Sequence, residues 1–265
     1  MRLTVVGCSD AFGSGGRFHS CYLLETSQGR LLVDCGANSP LALKRANIKL
    51  SSIDAFLISH LHGDHFGGLP FLFLDKMFVD QSPAPIEILG PPGIEARTVE
   101  LMECLYPGVY ALRRGFDIIY RELEPGQTTR WRGLEIAAYE VQHYSGAPSL
   151  AFSIADGEGR FAFSGDSGWC DGVIQAGRRA DVYLIECSTY ATKTDMHLDY
   201  LTLASKFSEI GAKKYLLTHM GEEMLAKLGN IDTVNCIAAE DGLSVAIGAP
   251  AEKRRWPRLA LPGFR

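Results

Sequence analysis

Apolar residues come in short blocks over the first 60 positions, Leu3–Val6, Cys21–Glu25, Arg30–Val33 and Ala55–Ile58, in a stretch punctuated by Gly, Asp and Asn. Blocks of this length predict strands, and the last two, almost wholly apolar, read as strands covered on both faces. Helical spacing replaces alternation over Leu41–Ala46, Phe66–Phe78 and Gly93–Leu105, with a strand at Ile86–Leu89 between them. The second half repeats this grammar. Strands are predicted near Ile118–Glu122, Leu134–Glu140, Leu150–Ala155, Arg160–Ser164, Val182–Glu186, Tyr215–Thr218 and Ser244–Ile247, and helices near Val173–Ala176, Leu201–Ile210 and Glu222–Leu228. Two sets of strands mixed with helices, with no long Pro/Gly/Ser linker to part them, predict one α/β domain of two sheets with helices outside, over residues 1–250, followed by a basic tail, 251–265.

Composition narrows the partners. The 265 residues carry 26 Lys plus Arg against 31 Asp plus Glu, a net charge of −5. That is the wrong sign for affinity built on neutralising many phosphates, so extended nucleic-acid binding is disfavoured. Seven cysteines stand singly, with no CxxC pair, which argues against a disulfide framework or a thiolate zinc knuckle and suits a reducing compartment. No run approaches the roughly 20 apolar residues of a spanning helix, and the N-terminal apolar stretch is too short for a signal-peptide core; a cytoplasmic protein is expected. The apolar run Leu69–Leu74, with Met77 and Phe78, could wall a pocket or form a homodimer face, core packing being the default.

Chemistry concentrates after the fourth strand, where Phe56-Leu57-Ile58 runs into Ser59-His60-Leu61-His62-Gly63-Asp64-His65. In an extended exit from a strand, positions i and i+2 point the same way, so His60 and His62 can share one ion. Gly63 is expected to let the backbone turn, and Asp64 and His65 to open the next helix on the far side. Packing alone needs no such density of metal-binding side chains. His143, Asp166 and His219 each stand where a predicted strand passes into a loop, the place where ligand sites gather in α/β proteins. Imidazoles and carboxylates without thiolates suit Zn²⁺, with Mn²⁺ and Fe²⁺ as competitors. Five His and two Asp exceed what one tetrahedral ion needs and would furnish two ions ~3.5–4 Å apart, with room for an activated water.

The pattern His60-x-His62-x-Asp64-His65, with His143, Asp166 and His219, resembles the HxHxDH, His, Asp, His signature of the metallo-β-lactamase superfamily. Leu32-Val33-Asp34-Cys35-Gly36 is similar to that superfamily's early Asp-x-Gly strand end, and His65-Phe66-Gly67-Gly68-Leu69-Pro70 with Leu89-Gly90-Pro91-Pro92-Gly93 resembles its ribonuclease Z and cyclic-phosphodiesterase branch. The likeness spans about residues 3 to 247. It implies a four-layer αββα sandwich in which His60, His62 and His143 hold one ion, Asp64, His65 and His219 the other, and Asp166 bridges them. Asp34 would orient the ligand loop from behind.

The same branch carries a Glu and a His near the leaving group, a place taken here by Glu186 and His197, and the resemblance implies catalytic parts for Asp64, Glu186 and His197, with His197 as general acid. His19 is a further candidate for the pocket wall. The intervals hold no long Gly/Lys-rich insertion of the kind that grips tRNA, so a small-molecule substrate is expected rather than tRNA. The function expected is hydrolysis of a small or cyclic phosphodiester by a hydroxide bridging two ions. Hydrolysis of a thiolester or carboxyl ester, and a metal-loaded ligand-binding or sensor protein without turnover, are the alternatives.

Overall fold

The computed structural model describes residues 1–248; the basic tail expected at 251–265 lies outside them. Six strands follow the apolar blocks of the first half: β1 (Arg2–Gly7), β2 (Cys21–Thr26), β3 (Gly29–Val33), β4 (Ala55–Leu57), β5 (Ile86–Gly90) and β6 (Ile118–Glu122) lie side by side in chain order. The pairings are antiparallel from β1 to β3 and parallel from β3 to β6. A second sheet is laid down in the same manner by β7 (Thr128–Trp131), β8 (Leu134–Val141), β9 (Ser149–Ala155), β10 (Arg160–Phe163), β11 (Val182–Glu186), β12 (Tyr215–Thr218) and β13 (Cys236–Ala238). It turns from antiparallel to parallel at β10. The last strand, β14 (Ser244–Ala246), returns to the first sheet and pairs with β1.

Side chains alternate across each strand, and this decides the layering. Leu3, Val5, Tyr22, Leu31, Val33 and Leu57 of one sheet meet Leu134, Ile136, Phe152, Ile154, Phe161 and Phe163 of the other in the central core. Each such side chain is worth about 1.5–3 kcal/mol in area removed from water. The opposite faces are also apolar, so they need covers. Leu23, Leu32, Phe56 and Ile88 pack under α1 (Ser39–Arg45), the short α2 (Gly63–Phe66), α3 (Leu69–Asp75) and α4 (Ile94–Leu105). Tyr183, Ile185 and Leu217 pack under α5 (Asp171–Gly177), α6 (Tyr200–Ile210) and α7 (Glu222–Leu225). The result is the expected αββα sandwich. Among the described residues no helix is long and apolar enough to cross a membrane.

Three departures from the pattern reading have physical causes. Edge strand β7, Thr-Thr-Arg-Trp, is mostly solvated and carries little apolar signal, and β13 is only three residues long. The single helix expected over Phe66–Phe78 is two, α2 and α3, separated at Gly67-Gly68, because the chain there presses on the end of β3: a Cβ on Gly68 would lie 2.4 Å from the Gly36 carbonyl oxygen. The run Leu69–Leu74 does serve core packing, with Leu69, Leu72 and Phe73 buried, while Phe78 is 60% exposed.

Candidate metal centre

All the sequence-marked residues lie at one end of the two sheets. His60 follows β4, His143 follows β8, Asp166 follows β10, Glu186 ends β11 and His219 follows β12. The turn after His62 is α2 itself, which opens with Gly63, Asp64 and His65. Gly63 is in ordinary helical conformation, and a Cβ there would meet nothing within 4 Å, so the flexibility expected of it is not what the turn uses. Gly36 is the constrained position instead. A Cβ on Gly36 would lie 2.2 Å from the Asp64 carbonyl oxygen and 2.4 Å from the His19 Cβ. We expect Gly36→Ala to cost about 1–3 kcal/mol through this overpacking, read as a lowered urea midpoint with an unchanged slope.

Among the described residues the polar atoms fall into four overlapping groups, two with His197 (His143, Asp166 and His197; Glu186, His197 and His219) and two without it. His60, His62 and His143 offer nitrogens to one point, and Asp64, His65, Asp166 and His219 offer atoms to another, with the atoms of each group within 4.8 Å of one another. Asp166 reaches both. Its Oδ1 lies 3.3 Å from His65 Nε2, and its Oδ2 lies 3.3 Å from His219 Nε2, 3.8 Å from His60 Nε2 and 3.9 Å from His143 Nε2. Asp64 Oδ2 stands 3.3 Å from His65 Nε2 and 3.2 Å from His219 Nε2. Charge-assisted N–H···O bonds close to about 2.7–2.9 Å, so these groups point at a shared interior rather than into optimal pairs. His60 Nε2, His65 Nε2 and Asp166 Oδ1 are buried without a hydrogen-bond partner among the described residues. Buried donors and acceptors in such a position cost free energy unless something satisfies them, and a divalent cation fits.

The far nitrogens of His60, His65 and His143 are held from behind, whereas His219 Nδ1 has no hydrogen-bond partner among the described residues. Asp34 is fully buried and accepts from the Ser59 N–H at 2.7 Å, from the Ser59 hydroxyl at 2.8 Å and from His65 Nδ1–H at 2.6 Å. That fixes the His65 tautomer and leaves Nε2 as the interior atom. His60 Nδ1 meets the Ser59 hydroxyl at 3.0 Å, and His143 Nδ1 donates to the Met196 carbonyl at 3.1 Å. Burial pushes the His143 imidazolium pKa down to about 4, which keeps the ring neutral and its lone pair available. Asp34 and His219 also adopt left-handed backbone conformations, φ 55° in both, a strain that non-glycine residues accept mainly where the surroundings over-determine it.

Glu186 and His197 adjoin the cluster. His197 Nδ1 lies 3.1 Å from Glu186 Oε2, while Glu186 Oε1 accepts from the Ser167 N–H. The His197 ring stacks on that of His219 at 5.7 Å and meets that of His143 edge-on at 5.0 Å. Burial works against a proton on His197, but the hydrogen bond and charge of Glu186 overcome it and raise the pKa to about 9. Ser59, Ser167 and the Met196 carbonyl escaped the sequence reading. Only Ser59, directly before His60 at a strand exit, carried any signal.

The model of one protein family, described as Anti-Pycsar protein Apyc1, matches residues 1–240. The chain belongs to that family. Within the family, the Apyc1 protein of Paenibacillus sp. (strain J14) is 32% identical over 59% of this chain and 64% of its own length. Ribonuclease Z of Methanosarcina acetivorans is 25% identical over 93% of this chain and 98% of that protein. In three dimensions the short form of human tRNase Z superposes with a TM-score of 0.77 at 24% identity, covering 93% of this chain and 99% of that one. The likeness shows the metallo-β-lactamase fold. With the sequence relatives it places the family in the ribonuclease Z and phosphodiesterase-like branch of that superfamily, a group of metal-dependent hydrolases.

Proposed function

We propose that the protein is a phosphodiesterase acting on a small or cyclic phosphodiester, with two divalent ions, Zn²⁺ before Mn²⁺ or Fe²⁺, one on His60, His62 and His143, the other on Asp64, His65 and His219, and Asp166 between them. The observation that carries this reading is the reach of Asp166 to histidines of both groups at 3.3–3.9 Å, with a His197–Glu186 pair beside it. Ions held there would polarise a phosphoryl group and supply hydroxide at neutral pH. The chain's own residues do the rest. Asp34 holds His65 in one tautomer, and Ser59 holds both Asp34 and His60. Glu186 keeps a proton on His197 Nδ1, so that His197 is a cation at neutral pH whose Nε2–H can pass to a departing oxygen.

Ribonuclease Z relatives bring RNA into question as a substrate, and the expectation against tRNA rests on charge and on missing sequence. The match to the Methanosarcina protein runs over 308 positions, whereas this chain has 265 residues in all, so that relative carries segments with no counterpart here. A net charge of −5 also favours a small substrate. The test is a comparison of turnover by the metal-loaded protein on bis(p-nitrophenyl) phosphate, a thiolester and a precursor tRNA. We expect the phosphodiester to be hydrolysed with the highest kcat/KM. A higher value for the thiolester overturns phosphodiesterase activity, and a higher one for the tRNA overturns the small substrate.

A further inference from the structure

Six of the chain's seven histidines belong to the cluster just described; the seventh, His19, has no part in it so far. It stands at the same place. Its backbone bridges to Ser9, which also bridges to Met220 next to His219, and its N–H donates to Asn38 Oδ1 at 2.8 Å. Gly36, lacking a side chain, lets the His19 Cβ come close to the Asp64 carbonyl. The ring is near enough to Asp64, His65 and His219 to feel the charge of each. The Ala11 backbone lies close enough to the ring to favour a proton on it, but His19 Nδ1 is shielded from solvent and makes no hydrogen bond of good geometry among the described residues, and the ring as a whole is half-buried. The neighbouring loop is stiff: the Asp10 carboxylate accepts from the Ser9 hydroxyl, from the Phe12 and Ser14 N–H groups and from the Ser14 hydroxyl.

We propose that His19 is a substrate-binding residue, its imidazole donating a hydrogen bond to a non-bridging oxygen of a phosphoryl group seated on the Asp64, His65 and His219 side of the cluster. The proposal rests on the phosphodiesterase reading and adds a contact that reading does not contain. Three features support it. A shielded ring nitrogen without a well-formed hydrogen bond is costly unless a ligand atom satisfies it. The anchors on the backbone of His19 fix its Cα position beside the cluster, as a binding residue requires. Finally, His197 approaches the cluster along Glu186 and is assigned to the leaving group, so the contact from His19 would be to a different oxygen.

The metal-loaded wild type, His19→Ala and His19→Gln are to be compared by metal content, by calorimetric Kd for inorganic phosphate and by KM and kcat on bis(p-nitrophenyl) phosphate. In His19→Ala we expect unchanged metal content, and a rise of about ten-fold in both the phosphate Kd and KM with a smaller change in kcat. His19→Gln, which keeps a donor, should recover most of the loss. Unchanged Kd and KM in His19→Ala overturn the proposal. So does a loss of metal in that variant, which would make His19 a support for the Asp64 turn. If the wild type hydrolyses no phosphodiester but its phosphate affinity still depends on His19, the contact stands and the phosphodiesterase reading falls.

Discussion

Replacing Asp166 with Ala is expected to remove bound metal and turnover together. Wild-type protein dialysed against Zn²⁺ should carry two ions per chain by elemental analysis, and Asp166→Ala fewer than one, with kcat on bis(p-nitrophenyl) phosphate falling on the order of 10³-fold or more. The reason lies in the position of one carboxylate. Asp166 is buried and sits between imidazoles of both groups, so its loss removes an anionic atom from each at once and leaves neighbouring imidazoles that offer lone pairs but no charge to offset two dications. His62 is a useful contrast. It is half-buried and serves only the group it forms with His60 and His143, so His62→Ala should retain more metal than Asp166→Ala. Melting temperature separates this from unfolding, since added Zn²⁺ should raise the wild-type value and not that of Asp166→Ala. Two ions retained by Asp166→Ala would refute the assignment of that carboxylate as the bridge.

How far such a site can be read from sequence depends on the range over which each residue acts. His60, His62, Asp64 and His65 are neighbours in the chain, and their density after an apolar strand announces them. His143, Asp166 and His219 are far apart in sequence but share a position, the exit of a strand, and that common grammar brings them to one end of two sheets. The resemblance alone assigns Asp34 its role, because an Asp at a strand end also serves plain turns. Only three-dimensional pairing shows its three hydrogen bonds to Ser59 and His65. The sequence points to Gly63 where the structure constrains Gly36, for a similar reason. The need for glycine arises from what another segment presses against it, here Asp64 and His19, and no local pattern encodes that. The left-handed backbones of Asp34 and His219 leave only a faint mark in the sequence, since Asp and His are enriched in that region yet occupy it in a small minority of cases.

A test of His197 as proton donor follows from what a leaving group needs. p-Nitrophenolate departs as a stabilised anion and gains little from protonation, whereas a simple alkoxide is far too basic to leave without it. We therefore expect His197→Ala to lower kcat on an alkyl phosphodiester by about 10²–10⁴-fold, the usual worth of a positioned general acid, and on bis(p-nitrophenyl) phosphate by about ten-fold or less. The geometry gives this ratio its meaning. His197 packs against His143 and His219 and adjoins Asp166, but it belongs neither to the group of His60, His62 and His143 nor to that of Asp64, His65, Asp166 and His219, so its removal should leave both ions in place. Glu186→Gln extends the argument, because Glu186 is wholly buried and acts by holding His197 Nδ1 at 3.1 Å. An amide keeps an acceptor oxygen but not the charge that sustains the proton, so this variant should show the same leaving-group preference as His197→Ala, in weaker form. Equal losses on the two esters in His197→Ala, at full metal content, would mean that the imidazole binds or orients the substrate and that the departing oxygen takes its proton from elsewhere.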